Sequence, residues 1–567
     1  MTARVVRVVP DVATFAVDDG FSYLVPDALE PTIGSLVRVP LGGRVVRGWV
    51  IGEEDTDPDG LKAIRRVSGS MPVFGADHVR LSEWLGHHYV APRAAVLRTF
   101  TPPNLPTRVP REEAPAGASG SRSHFVDGAE ALSEVVEQQR GALVVAPTAV
   151  EVSELSARLD ESAGGRVVAL GPDAPAREVT KAWSRARLED GIIVVATGRV
   201  APWWTRDLAI GLVWDEQRRS HKDRQSPTFH PRTILSHRSR TEGFRLLTTG
   251  PVPSLEVRAA GTPVIGAGRR WGRVEVVDRT EEPPGSGVLS DRVKAALHGV
   301  VRTGHRAVVF THRRGYAPSF RCTSCRALRT CPSCGTAATQ AAVCRRCGSM
   351  LVACTECGGA SFEPLGAAEG RVRDLLRRVV GDDVVGTAGD DLPITVAAEA
   401  DLTSIASTDL VVVVDADGLL LGPHFRSQEA ALALFGRLGR LVHSGAGSRV
   451  MVQTSVSDHP VIEALRVGDP SAFLDGESDR RAAAGYPPFG SLVVLEIRGE
   501  GVLAEEELKA LEEAGAMVFG PLPARAGTRW LLQGRDLGAA KRTLRGPLQR
   551  LRDGGAAVRV DVDPLDV

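Results

Sequence analysis

The 567-residue sequence predicts a multidomain α/β protein. Two tandem lobes are built on parallel sheets, with a cysteine-rich insertion in the second, a β-rich domain in front and a small α+β domain behind. Three observations carry this reading. Apolar strand-like runs alternate with helical periods over residues 125–258 and again over 270–490, the grammar of parallel sheets covered by helices. All eight cysteines fall between Cys322 and Cys357, in C-x-x-C pairs. Short alternating runs broken by Gly and Pro fill residues 1–105.

Taken in order, 1–105 reads as the β-rich domain (VVRVVP, FSYLVP, SLVRVPLGGRVVRGWVIG), with a helix at about 76–90. His87 and His88 lie near that helix's end and read as cap or surface residues. Residues 102–123 are Pro/Gly/Ser-rich, and 106–124 forms a linker. The first lobe, 125–265, predicts a helix at 127–139, strand 142–147, helix 149–160, strand 167–170, helix 175–188, and strands at 191–197, 208–217 and 244–248. A basic loop precedes the last of these. The second lobe, 266–489, repeats the alternation: RVEVVD, a helix at 289–303 and RAVVF come before the cysteine insertion at 320–360. A helix at 367–380, VVG, ITVAA, DLVVVV, a helix at 427–441 and RVMVQT follow it. The tail, 490–567, holds SLVVLEIRG, RWLLQG and VRVDVDP with helices between.

Hydrophobic content is 43%, ordinary for a globular protein. The N-terminus lacks a signal-peptide layout, and no apolar run approaches the ~20 residues that span a bilayer. The longest, LVVVV at 410–414, stops at Asp415 and suits a buried strand. A soluble, cytoplasmic protein is expected. Net charge is zero, so bulk charge does not announce nucleic-acid binding, but its distribution is uneven. Residues 302–357 carry arginines at 302, 306, 313, 314, 321, 326, 329, 345 and 346 against the single acid Glu356, and a second basic run lies at 218–240. The module is either a phosphate-contacting surface or an ordinary solvated face.

A C-x-x-C turn aims two thiolates at one point, and two turns make a tetrahedral four-sulfur site. Cys322/Cys325, Cys331/Cys334, Cys344/Cys347 and Cys354/Cys357 therefore predict two structural zinc ions with no cysteine left over. An iron–sulfur cluster is the alternative. Spacing alone does not say which pairs share a metal. Four sulfurs per ion leave no open position for zinc-bound water, which argues against metal catalysis.

The order of motifs resembles the replication restart protein PriA (primosomal protein N′) family, whose lobes resemble RecA-like lobes of superfamily 2 DNA helicases. A strand, then HRRGYAPSFRC, then eight paired cysteines is similar to that family's zinc insertion. Asp415-Ala416-Asp417, HFRSQE (424–429), GRLGR (436–440), YPPF (486–489) and DVDP (561–564) are similar too. So are GFSYLVP, LVRVPLGGR and LKAI at the front. The resemblance implies that Cys322, Cys325, Cys354 and Cys357 hold an outer zinc and Cys331, Cys334, Cys344 and Cys347 an inner one. It also implies that 1–105 is a DNA-end-binding domain. There Phe21, Tyr23 and Lys62 match the family's end-capturing segment, with Ser22 where the family has an acid; the bland reading makes Phe21 and Tyr23 strand aromatics. Arg313 and Arg314 either grip phosphate or bridge lobe and zinc module. Trp203 and Trp204 either meet single-stranded DNA or are buried between lobes.

The departures are concentrated on ATP handling. The family's P-loop, G-x-x-x-x-G-K-[ST], cradles phosphates on backbone N–H groups, yet no Gly-Lys dipeptide occurs here. The family's acidic motif survives as Asp215-Glu216-Gln217-Arg218. The Gln of its arginine-finger motif is Ala433, leaving Arg437 and Arg440, which read as helix and core salt bridges. The winged-helix segment is replaced by the linker. We read Asp215, Glu216, Arg437 and Arg440 as vestigial nucleotide motifs and assign no catalytic residue. The expectation is a protein that recognises stalled forks or D-loops and scaffolds reloading of the replicative helicase with other primosome proteins, without ATPase activity. The alternatives are an active ATP-dependent 3′-to-5′ helicase and a zinc-stabilised adaptor with little DNA affinity.

Overall fold

The computed structural model describes residues 4–105, 122–265, 271–280, 282, 287–312, 319–325, 327, 329–333, 342–344, 349–365, 368–422, 424–445, 447–524 and 527–566. The chain divides into two compact units. One comprises residues 1–266 and 479–565, the other 267–478.

The N-terminal domain is a five-stranded antiparallel sheet of β1 (Val5–Pro10), β2 (Phe21–Leu24), β3 (Leu36–Leu41), β4 (Arg44–Glu54) and β5 (Arg66–Ser68), in the order β2-β1-β4-β3-β5. Period-two patterning sends Val6, Val8, Tyr23, Val37, Val39 and Val50 to one core and Val9, Leu36 and Trp49 to another. The second core lies against α1 (Ala76–His88) and α2 (Arg93–Phe100), of which the sequence patterning anticipated only α1. His88 is no surface cap. It stacks on Trp84 (4.9 Å between centroids), whose other neighbour is His237 at 3.8 Å.

The first lobe is a six-stranded parallel sheet of β6 (Ser123–Phe125), β7 (Gly141–Val145), β8 (Val167–Leu170), β9 (Ile193–Ala196), β10 (Leu208–Val213) and β11 (Arg245–Thr248), in the order β6-β11-β10-β7-β9-β8. Its helices are α3 (Gly128–Glu137), α4 (Ala149–Ala163), α5 (Ala176–Leu188), α6 (Pro231–Glu242) and α7 (Leu255–Ala259). β7, β9 and β10 are buried end to end, which is why they read as unbroken apolar runs rather than alternations. β6 and α6 were not expected. Three residues, Ser-His-Phe, are too few to register as a strand. The basic sequence of α6 hides a helix with Pro231 at its first turn, where proline is tolerated.

The second lobe is again a six-stranded parallel sheet. It contains β12 (Val274–Asp278), β13 (Ala307–Phe310), β16 (Val385–Gly386), β17 (Ile394–Ala397), β18 (Leu410–Val413) and β19 (Arg449–Thr454), in the order β12-β19-β18-β13-β17-β16. Between β13 and β16 the chain leaves for the cysteine module, whose base is the antiparallel pair β14 (Ser319–Cys322) and β15 (Phe362–Leu365). The lobe's helices are α8 (Asp291–Thr303), α9 (Glu369–Val380), α10 (Asp417–Leu420), α11 (Ser427–Arg440) and α12 (Pro460–Val467); α13 (Ser471–Ala484) follows. Ser290 caps α8 by accepting the Val293 N–H at 3.1 Å.

The C-terminal domain is an antiparallel sheet of β20 (Ser491–Arg498), β21 (Met517–Ala524), β22 (Gly527–Gly534) and β23 (Ala557–Val562), with α14 (Glu505–Glu513) and α15 (Gly538–Asp553). Within its unit it is tied to both earlier domains. The Thr14 hydroxyl donates to Gln549 Oε1 at 2.8 Å. Lys222 Nζ donates to the Asp563 carbonyl at 2.7 Å and pairs with Asp561 at 3.0 Å. Arg559 Nε reaches the Arg224 carbonyl at 2.7 Å. The basic stretch after β10 thus docks, in part, on β23.

Candidate metal centre and nucleic-acid interface

Among the described residues, the cysteine module supplies a close cluster of four metal-ligand atoms. Cys322 and Cys325 turn at the end of β14, and Cys354 and Cys357 turn just before β15, so the hairpin pairing brings the first and last cysteine pairs together. Their four sulfurs lie within 4.8 Å of one another, with Cys322–Cys357 at 3.5 Å and Cys325–Cys354 at 3.6 Å. Four sulfurs at 2.3 Å around a tetrahedral ion stand about 3.8 Å apart, so the donor set fits a thiolate-bound dication. Each turn is closed alike, Cys322 N–H to the Ala327 carbonyl at 2.9 Å and Cys354 N–H to the Gly359 carbonyl at 2.8 Å. A β-carbon at Gly359 would lie 3.2 Å from the Cys322 sulfur, closer than ordinary van der Waals contact, so the second turn packs tightly against the cluster.

Backbone N–H groups of Cys325 and Ser324 point at Cys322 and pull its thiol down to about 6; those of Cys357 and Glu356 lower Cys354. Cys325 receives the Ala327 N–H, yet the neighbouring sulfurs push it up to about 12. Four thiols this close cannot all ionise unless a cation neutralises them, which is the electrostatic signature of a metal site. Of the other two pairs, Cys331 and Cys344 are buried together with Leu351, and the Cys344 N–H closes on the Ser349 carbonyl at 2.8 Å, as in the first two turns. Cys334 and Cys347 lie outside the described residues, as do Arg313, Arg314, Arg326, Arg345 and Arg346. Arg329 is not part of a basic surface. It is buried, donates to the Leu351 carbonyl at 2.7 Å and lies over the Phe362 ring at 4.4 Å.

In the first lobe, ligands of a parallel sheet are expected at the carboxyl ends of the strands. A phosphate cradle would belong between β6 and α3, a strand-to-helix step. Only Val126 and Asp127 separate them. The Asp127 carboxylate accepts the Ala129 N–H at 2.9 Å and caps α3. A β-carbon on Gly128 would lie 2.5 Å from the Trp214 ring, so that ring rests directly on the first turn of the helix. An acidic cap and an indole thus occupy the place where backbone N–H groups otherwise meet an anion.

The acidic motif beyond β10 is turned inward. Asp215 sits at φ +52°, its N–H donating to Thr249 Oγ1 at 3.0 Å. Arg218 donates to Glu151 at 2.8 Å and stands 3.7 Å from Asp215. Glu216 is fully buried. It accepts the Ser254 N–H at 2.7 Å and pairs with Arg232, while burial pushes its carboxyl above the usual range. Removing one partner of a buried ion pair costs about 3–5 kcal/mol. Glu216→Ala should therefore lower the unfolding free energy by that much in a urea titration, whereas loss of a water-orienting surface acid would leave it unchanged. In the second lobe, Arg437 pairs with Glu399 at 3.3 Å and Arg440 is exposed on the last turn of α11. Asp415 accepts the Gly418 N–H at 3.1 Å, and Asp417 binds the Ser455 N–H at 3.0 Å.

The N-terminal candidates separate. Phe21 is 41% exposed, whereas Tyr23 is 3% exposed, its hydroxyl donating to the Pro40 carbonyl at 3.1 Å. Only Phe21 has a ring face free to stack. Lys62 is exposed, and its carbonyl accepts the Leu24 N–H at 3.1 Å, which places it beside β2. Ser22 donates to Glu54 at 2.5 Å, and Glu54 also accepts from Arg7 at 2.7 Å. The Ser22 hydroxyl and the Arg7 guanidinium hold the Glu54 carboxyl below its usual range. A carboxylate therefore stands beside the serine after all, contributed by a strand whose register the sequence does not announce. Trp203 is buried and Trp204 half-buried. The Trp204 ring carries the Arg187 guanidinium at 3.5 Å and has His78 of α1 5.9 Å away.

Two parallel-sheet lobes, one interrupted by a cysteine-knuckle module and accompanied by two small sheet domains, define a multidomain α/β protein. Residues 7–102 match the family model of the PriA 3'DNA-binding domain (3'BD), and residues 482–565 match that of the primosomal protein N C-terminal domain. The replication restart protein PriA of Treponema pallidum is 23% identical, over 97% of this chain and 98% of its own length. The probable replication restart protein PriA of Mycobacterium tuberculosis is 25% identical over 97% and 99%. Among solved structures, RecG bound to a three-way DNA junction is 13% identical, covering 63% of this chain and 44% of its own, at a TM-score of 0.35. The chain thus carries both PriA-type domains and is similar to PriA proteins over nearly its full length. Among the described residues no helix is long and apolar enough to cross a membrane.

Proposed function

We propose that this PriA-like protein recognises branched DNA, a stalled fork or D-loop, and acts as a cytoplasmic scaffold on which primosome proteins reload the replicative helicase, without hydrolysing ATP. The observation that carries the reading is the filled phosphate position of the first lobe, with Asp127 capping α3 and Trp214 lying on Gly128. The inward ion pair of Glu216 with Arg232 points the same way, since a buried, paired acid has no access to an attacking water. DNA affinity then comes from phosphate contacts spread over domains, and discrimination from DNA shape. In the N-terminal domain Phe21 supplies a stacking face and Lys62 a cation for a strand end, with Glu54 beside Ser22 as the acid.

In the cysteine module, Cys322, Cys325, Cys354 and Cys357 hold one zinc and Cys331, Cys334, Cys344 and Cys347 a second. Regular thiolate pairs favour zinc, and the repeated turn closure at Cys344 supports the inner site. The metals' role is structural: they hold a module with little apolar content rigid.

The deciding experiment measures ATP hydrolysis and fork binding by the purified chain. Expected are fork binding that ATP leaves unchanged and no turnover above about 1 s⁻¹. DNA-stimulated turnover abolished by Asp215→Asn would establish the motor instead. Absence of fork binding at low salt, where phosphate contacts are strongest, would leave the protein adaptor.

A further inference from the structure

Three strands of the N-terminal sheet place arginines side by side. Arg38 of β3 lies directly opposite Arg47 of β4 on one side and Arg66 of β5 on the other. Directly opposed residues of an antiparallel pair share a face, and like charges so placed repel. Arg47 is neutralised by Asp11 at 2.7 Å. Arg38 and Arg66 are exposed, and neither has an ion pair or side-chain hydrogen bond among the described residues. Arg65, also exposed, is fixed beside them by its N–H to the Arg38 carbonyl at 2.8 Å. One pair further along the same face, Leu36 and Trp49 are buried, so the arginines rise from a rigidly packed sheet rather than from a loop.

A solvated basic face is ordinarily interleaved with acids. Here the neighbouring acid, Asp11, is taken up by Arg47 and Arg98, and the repulsion between Arg38 and Arg66 is left uncompensated. Arginines paired across adjacent strands, whose backbones run about 4.8 Å apart, are suited to bidentate contacts with neighbouring phosphates. They carry no means of reading sequence.

We infer that Arg38 and Arg66, flanked by Arg65, form a phosphate-backbone track on the face of β3 and β5 that they share, with a role distinct from the strand-end capture assigned to Phe21 and Lys62. Its occupant is the sugar-phosphate backbone of duplex DNA. The inference rests on the DNA-binding reading above and adds a surface to it.

The test compares the wild-type chain with the Arg38→Ala/Arg66→Ala variant on a fork bearing a 3′-hydroxyl end and on blunt duplex of equal length, over a salt series. With about 0.9 counterions released per phosphate contact, the slope of log affinity against log salt should fall by about 1.8 on both DNAs. Affinity at low salt should fall about tenfold or more. The thermal midpoint should hold or rise, because cross-strand repulsion is relieved; a lower midpoint with unaltered slope would mean the arginines serve the fold. Slope and affinity equal to wild type overturn the track while leaving the fork-binding reading intact. Loss confined to the 3′-ended fork overturns it in favour of end capture, and wild-type chain that binds neither DNA sinks both readings.

Discussion

Replacing Cys322 and Cys354 with serine is expected to lower bound zinc from two ions per chain to one and to unfold the base of the cysteine module. Both residues belong to the cluster whose sulfurs lie within 4.8 Å of one another, one on each arm of the hairpin formed by β14 and β15. Structural zinc contributes roughly 10–16 kcal/mol of folding free energy in small modules. The module has little to replace it. Among its described residues, Phe320 and Leu351 are buried apolar side chains, whereas Val343, Met350 and Val352 are exposed. Without the ion, the four close thiols must also keep most of their protons, which weakens the N–H···S bonds that shape each turn. Elemental analysis gives the stoichiometry, and limited proteolysis of the insertion reports its order. A wild-type chain carrying iron, or a single zinc, would refute the two-site assignment.

Acidification should destabilise the unit formed by residues 1–266 and 479–565 steeply. His78, His221 and His230 are all buried, and burial holds His78 and His221 neutral down to about 4 and His230 well below its usual range. His230 needs the neutral form structurally, since its Nδ1 accepts the Arg232 N–H at 3.2 Å as the cap of α6, whereas His221 donates from Nε2 to the Trp214 carbonyl at 2.7 Å and is held neutral by burial. A native-state pKa depressed below the unfolded value gives stability that is complete above about 6.5 and is lost as pH falls. Through the window from about 6.5 to 4, the unfolded chain binds up to three more protons than the native one. Stability should then drop by about 4 kcal/mol per pH unit, comparable to the whole stability of an ordinary domain within two units. Thermal unfolding followed from pH 7.5 to 5 checks this, and His221→Gln should flatten the slope by about a third. A midpoint constant across that range would show the histidines to be hydrated.

Much of the architecture was legible because its signals are local. β7, β9, β10 and β18 announce themselves as apolar runs bounded by turn residues, and the C-x-x-C spacing singles out Cys322, Cys325, Cys354 and Cys357, whose sulfurs the fold gathers. The unexpected elements carry weak local signals. β6 is three residues long. α6 is arginine-rich, and its buried side includes a charged group, Arg238, paired with Glu242. β21 reads poorly because most of its residues are exposed and Pro521 and Pro523 interrupt it.

By itself the sequence determined the two lobes, the paired cysteines and the lack of a Gly-Lys phosphate loop, since each depends on residue types at short spacing. Tertiary structure decided what fills the gaps. Trp214 and Gly128 are far apart in the chain and meet only because β10 and the β6–α3 step belong to one sheet. Glu54 comes beside Ser22, and Arg38 beside Arg66, through strand register, which hydrophobic pattern and turn length set over the whole sheet. Phe21 and Tyr23 share a strand, but packing leaves the first exposed and closes over the second.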